Sequence, residues 1–62
     1  MTIGTQATVT IHDTQYAGIV RSVGTGLIVL RHMNSGVAID FELNFRNGGW
    51  YYVGTPATIT RS

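Results

Sequence analysis

Few side chains in this chain could perform acid, base or metal chemistry. The only histidines are His12 and His32, and the only acids are Asp13, Asp40 and Glu42. A tetrahedral metal site needs three or four convergent ligands, and neither histidine has a second histidine at a ligand spacing. The chain also has no cysteine, so a thiolate site is excluded. We therefore expect no metal site and no bound cofactor.

The strongest candidate for catalysis is a pair of carboxylates. Asp40 and Glu42 are two residues apart, which on a strand places them on one face at about 7 Å. That separation is compatible with paired acid and base groups, but alternating acids are also the ordinary pattern of a solvated strand face. The serines lie in or near predicted turns or at the terminus, and no nucleophile elbow surrounds any of them. We expect that the protein is not an enzyme.

Arginine and tyrosine together could hold single-stranded nucleic acid. The four cations are all arginines, and the formal net charge is +1. Arg21 and Arg46 would contact phosphates, and Tyr16 and Tyr51 would stack on bases. Spread cations with so low a net charge form a weak electrostatic footprint. Binding of single-stranded DNA or RNA is therefore the second hypothesis for function.

The elements that must position these residues are short strands separated by glycine turns. Strands are predicted at about residues 6–12, 15–23, 27–32 and 37–45, with a fifth after Asn47-Gly48 and a short last one at 57–60. The alternation of apolar and polar residues blurs around Gly18, which predicts a bulge or sharp bend in the second strand. Strand count, turn placement and size predict an all-β fold. We expect one domain over residues 1–62, a small, strongly bent barrel of five to six antiparallel strands, SH3-like.

The fourth strand has the clearest pattern and predicts the core. Apolar residues alternate with polar ones over residues 37–45. Asn47-Gly48 is the preferred dipeptide of a two-residue type I′ hairpin. Centring the turn there pairs Phe45 with Trp50, so Trp50 should point inward. The predicted core is Val37, Ile39, Phe41, Leu43, Phe45 and Trp50.

The third strand predicts a contact surface, because it is apolar on both faces. If Ser35-Gly36 form the next turn, Leu30 pairs with Phe41, and Leu27 and Val29 point outward. If Asn34 joins the turn, Val29 pairs with Phe41 instead, and Ile28 and Leu30 point outward. Two interpretations are open: barrel bending or a terminal segment with Ile3 covers this pair, or the pair is an interface, since exposed apolar patches usually mark contacts. The candidate interface residues are Leu27, Ile28, Val29, Leu30, Tyr51 and Val53.

Size and charge favour self-association as the leading hypothesis. A chain of 62 residues buries only about 60% of its surface on folding, so an isolated copy should be marginally stable. Charged residues make up 11%, and no lysine is present to blunt strand edges. We expect a non-enzymatic binding module that contacts itself, another protein, or both. The compact single-domain length would suit a cytoplasmic regulatory or accessory factor of a bacterium or phage. No apolar run is long enough for a membrane helix.

Overall fold

The computed structural model describes residues 1–62, and every regular element in it is a strand. No helix is present that could reach across a membrane with an apolar surface. The strands are β1 (Gln6–Ile11), β2 (Thr14–Gly24), β3 (Leu27–Asn34), β4 (Val37–Arg46), β5 (Gly49–Tyr52) and β6 (Thr55–Arg61).

The six strands form a closed antiparallel barrel in which every strand pairs with its neighbour in the chain. Closure comes from β1, which pairs with β2 on one side and with β6 on the other. The predicted small all-β barrel is confirmed, whereas the SH3-like assignment stays a prediction. A small apolar cluster lies inside the barrel.

The predicted irregularity of β2 is present, and two features produce it. The register between β2 and β3 shifts between Val20 and Ser22, which places a bulge there. Two residues before the bulge, Gly18 passes close to β3. A Cβ atom at this position would collide with the carbonyl oxygen of Arg31 and lie 2.7 Å from a methyl carbon of Leu30. Glycine is therefore required for the two strands to approach closely.

The hairpin between β4 and β5 has the predicted geometry. Asn47 and Gly48 both have positive φ, at 51° and 78°. Phe45 pairs with Trp50 in the resulting register. These values are those of a type I′ turn, whose twist matches that of the flanking strands. The turn prediction and the pairing that follows from it are confirmed.

Valine in place of Gly48 should strain this turn. A β-branched residue resists positive φ, and we expect Gly48→Val to lower the free energy of unfolding by about 1–2 kcal/mol. Urea unfolding followed by tryptophan fluorescence measures the loss. The matched control is Gly49→Val, because Gly49 has ordinary φ and open space around its Cβ position. Equal losses in both variants would contradict the turn assignment.

The core is smaller than the alternation of β4 predicts. Eight residues are buried: Ala7, Val9, Val20, Ile28, Leu30, Phe41, Leu43 and Ala57. Phe41 and Leu43 are confirmed as core, and Trp50 is partly buried against the cluster. The prediction was wrong for Val37, Ile39 and Phe45, which are 61%, 39% and 49% exposed.

For Val37 and Ile39, the reason lies in the unequal lengths of neighbouring strands. β4 has ten residues but β5 has only four, and their pairing ends at Leu43 and Tyr52. Beyond Leu43, β4 continues toward Val37 with β3 as its only partner. The inward side chains at that end therefore have no opposing layer to bury them.

Candidate contact surface

The register of β3 decides which of its faces points outward. Leu30 pairs with Phe41, as expected if Ser35-Gly36 form the turn. Ile28 and Leu30 then face the interior and are only 6% and 0% exposed. They belong to the core and cannot reach a partner. Of the four apolar residues of β3, Leu27 and Val29 remain as candidate contact residues, each half-buried on the outer face.

The outward side chains of β3 lie in line with those of β5. Leu27 and Tyr51 both pair with Asn44, one from each side. They are therefore two strand spacings apart, about 10 Å, across the outer face of the barrel. We use the term outer patch for Leu27, Val29, Tyr51 and Val53.

Val53 is the most exposed large apolar side chain of the protein, at 83%. It occupies the first position of the Val53-Gly54 turn with φ of 48°. A β-branched residue in the left-handed region is strained, and its exposure adds a second unfavourable term. Such local strain concentrates at functional sites. Valine at position 53 therefore does not help the protein to fold, and of the four residues of the outer patch it is the strongest candidate for a role in contact.

One side of β4 is open over six residues, and this feature was missed from the sequence. Residues 37–42 pair with β3 alone, and we call them the open edge. The amide of Phe45 donates to the carbonyl of Gly26, on the β3 side. Because bonding alternates along an antiparallel strand, the backbone groups of Ala38, Asp40 and Glu42 point to the open side. The sequence did contain a signal for this open side, because the apolar run of β5 is too short to pair with all of β4.

An ion pair neutralises one of the two acids along the open edge. Arg31 donates to both carboxylate oxygens of Asp40, from Nε at 2.9 Å and from a terminal nitrogen at 3.2 Å. These hydrogen bonds lower the pKa of Asp40, partly opposed by desolvation and helped by the charges of Arg31 and Arg21. Glu42 has no such partner. The two carboxylates therefore do not form a matched acid and base pair.

The ion pair makes a small contribution to stability that depends on pH. Because the folded pKa of Asp40 is lowered, the contribution is present above the ordinary aspartate pKa of about 3.9 and is lost as the pH falls through the lower folded value. We expect Asp40→Asn to be less stable than the wild type at pH 7 and to converge with it in acid. Paired urea titrations at several pH values measure the difference. A gap in stability that stays the same in acid strong enough to protonate Asp40 would contradict this origin.

The four residues named for nucleic-acid binding do not form one site. The guanidinium of Arg46 lies 5.1 Å from the ring centroid of Tyr51, and so already occupies one face of that ring. Tyr16 faces inward, with its ring 4.6 Å from Phe41. Arg21 borders a separate groove on the other part of the outer surface. Of the four residues, only Arg46 and Tyr51 are brought together.

The groove beside Arg21 has a volume of about 430 Å³. Ala7, Ala17, Ile19 and Met33 supply its apolar lining, and Arg31 lies at its border together with Arg21. The guanidinium of Arg31 is already held by Asp40. The groove combines an apolar surface with a single unpaired cation.

The histidines make structural contacts. Nδ1 of His32 lies 2.7 Å from the carbonyl oxygen of Ala17 and donates to it, which orients the ring across β2. The same ring meets Tyr16 edge-on at 5.5 Å. His12 lies in the turn after β1 at φ of 55°. No group of three or more histidine or acidic side chains is arranged to hold a metal ion.

Two features therefore lie on either side of the point where β5 ends at the Val53-Gly54 turn: the apolar outer patch and the unpaired backbone of the open edge. Comparison with models of protein families, with curated proteins and with solved structures finds no match for this chain.

Proposed function

We propose that the protein is a non-enzymatic binding module that acts through protein–protein contacts, in the first place with other copies of itself. One observation carries the proposal. Nine large hydrophobic side chains are exposed, on a chain that buries only eight residues in all. Scattered exposed apolar residues are normal, but here the exposed large hydrophobic side chains outnumber the buried residues.

The charges of the surface support contact rather than repulsion. Three acids and four arginines give a net charge of +1, which opposes association of like copies only weakly. Arg31 and Asp40 neutralise each other, as described above. Association would add buried surface to a fold whose own core is small, and mass action would then stabilise it.

Light scattering tests self-association directly. Across a hundredfold dilution series we expect particles of more than one 6.7 kDa chain, and a melting temperature that rises with protein concentration. A particle of one chain at every concentration, with a constant melting temperature, would overturn the proposal.

Val53→Asn separates the role of the turn in folding from its role in contact. Asparagine tolerates positive φ, so the variant should unfold at a higher urea concentration when measured as a monomer. If Val53 is a contact residue, the same variant should associate more weakly. A variant that is stabilised without any change in association would remove Val53 from the outer patch. Tyr51→Ser, on the same patch, serves as the comparison without a change in turn geometry.

A regulatory or accessory role in the cytoplasm belongs to the same proposal. The lack of cysteine supports the location, because secreted domains of this size usually depend on disulfides. Anisotropy of labelled single-stranded DNA or RNA at two salt concentrations tests the nucleic-acid hypothesis. Steep, salt-dependent binding would favour that hypothesis over protein contact.

A further inference from the structure

We propose that two copies of the chain join through their open edges, β4 against β4, as an antiparallel pair with Ile39 on the twofold axis. This inference rests on the proposed self-association and names its interface. An unpaired strand edge presents a row of backbone donors and acceptors to another strand. The closed symmetric form uses the same edge from each copy.

The open edge lacks the devices that usually prevent such pairing. It spans six residues without lysine, proline or a bulge. Its one acid near the centre, Asp40, is neutralised by Arg31. Two apolar side chains of the open edge are also exposed to solvent, Val37 by 61% and Ile39 by 39%. A second β4 would cover these side chains and bond the free backbone groups at the same time.

The charges exclude two of the symmetric registers, and of the others the axis at Ile39 pairs the most residues of the open edge. An axis at Asp40 places the two Asp40 carboxylates directly opposite each other, and an axis at Phe41 places Asp40 opposite Glu42. Like charges in directly opposed positions are destabilising. An axis at Ile39 instead places Asp40 opposite Ala38 of the second copy.

The register centred on Ile39 also satisfies the bonding pattern. Ala38 and Asp40 are the residues whose backbone groups point outward, so each forms a hydrogen-bonded pair with the other in the second copy. Ile39 meets its equivalent in a non-hydrogen-bonded pair, where side chains are closest. Val37 lies opposite Phe41 of the second copy, whose ring is already packed against Tyr16 and Tyr52.

A single introduced cysteine reports this register, because the natural chain has none. Residues in a non-hydrogen-bonded antiparallel pair have Cα atoms about 4.5 Å apart, within the range a disulfide spans. Two Ile39→Cys thiols should therefore form a disulfide-linked dimer when oxidised by glutathione disulfide. The control is Val37→Cys, at an exposed position on the same face. In the proposed register two such thiols are about 14 Å apart, beyond disulfide reach.

The outcomes separate this inference from the proposed function. Denaturing mass analysis should show a linked dimer for Ile39→Cys and single chains for Val37→Cys. If the wild type associates but neither variant links, or both link at equal rates, the edge pairing is wrong and self-association through another surface stands. If light scattering finds the wild type monomeric, both proposals fail together.

A charge pair at Ala38 gives a second readout that does not depend on Ile39. Ala38 is exposed, and in the proposed register it faces Asp40 of the second copy. Ala38→Asp should raise the dissociation constant of the dimer about tenfold. The twofold axis creates two contacts between residue 38 and Asp40, so the repulsion between the carboxylates occurs twice. Ala38→Arg should not weaken it. Equal dimer dissociation constants for the two variants, measured by sedimentation, would overturn the pairing.

Discussion

Replacing Phe41 with alanine is expected to unfold the isolated domain. Phe41 is 6% exposed, and its ring lies 4.6 Å from that of Tyr16 and 5.1 Å from that of Tyr52. Removing a buried phenylalanine side chain costs about 3–5 kcal/mol, and a domain of this size has little more stability than that. Thermal unfolding followed by near-ultraviolet circular dichroism measures the effect. The cooperative unfolding transition should disappear, or its midpoint should fall to a temperature far below that of the wild type.

The matched control is Phe45→Ala. Phe45 lies four residues after Phe41 on β4 and belongs to the same face of the strand. Phe45 is 49% exposed and contacts Trp50 at 5.1 Å. It should lose much less stability, because half of its side chain is already in water. A loss for Phe45→Ala as large as that for Phe41→Ala would show that the core extends to the end of β4, contrary to the structure.

The second large effect is expected from the smallest change, Gly18→Ala. The added methyl group would meet the carbonyl oxygen and carbon of Arg31, which are backbone atoms and cannot rotate away. Either β2 and β3 separate or the ladder between them shifts. We expect a loss of several kcal/mol and loss of slow amide exchange along the whole pair, since overpacking alone costs about 1–3 kcal/mol. Hydrogen exchange measured by NMR resolves which strands open.

Gly24→Ala is the control on the same strand. Gly24 has ordinary φ, and a Cβ there would make only van der Waals contact with Leu27, at 3.7 Å. Alanine restricts the unfolded chain, so this variant should be neutral or stabilised by about 0.4–1 kcal/mol. If Gly18→Ala behaved in the same way, the close approach of β2 to β3 would not exist in solution.

The local features of the fold could be predicted from the sequence because neighbouring residues determine them. The Asn47-Gly48 turn depends on two residues that accept positive φ, and the pairing of Phe45 with Trp50 follows from it. The alternation along β4 correctly predicts which side chains share a face. The bend in β2 is signalled by Gly18, since only glycine allows so close a strand approach.

Which part of that face is buried, and where a partner could bind, was decided only by the tertiary structure. Val37 and Phe41 have the same position in the alternation of β4, yet Val37 is 61% exposed and Phe41 is 6% exposed. The difference arises because β5 ends at Tyr52, whose ring lies 5.1 Å from that of Phe41 and helps to cover it, whereas Val37, farther along the open edge, has no such neighbour. Period-two patterning specifies the direction of a side chain, whereas burial depends on strands distant in sequence that must reach over it.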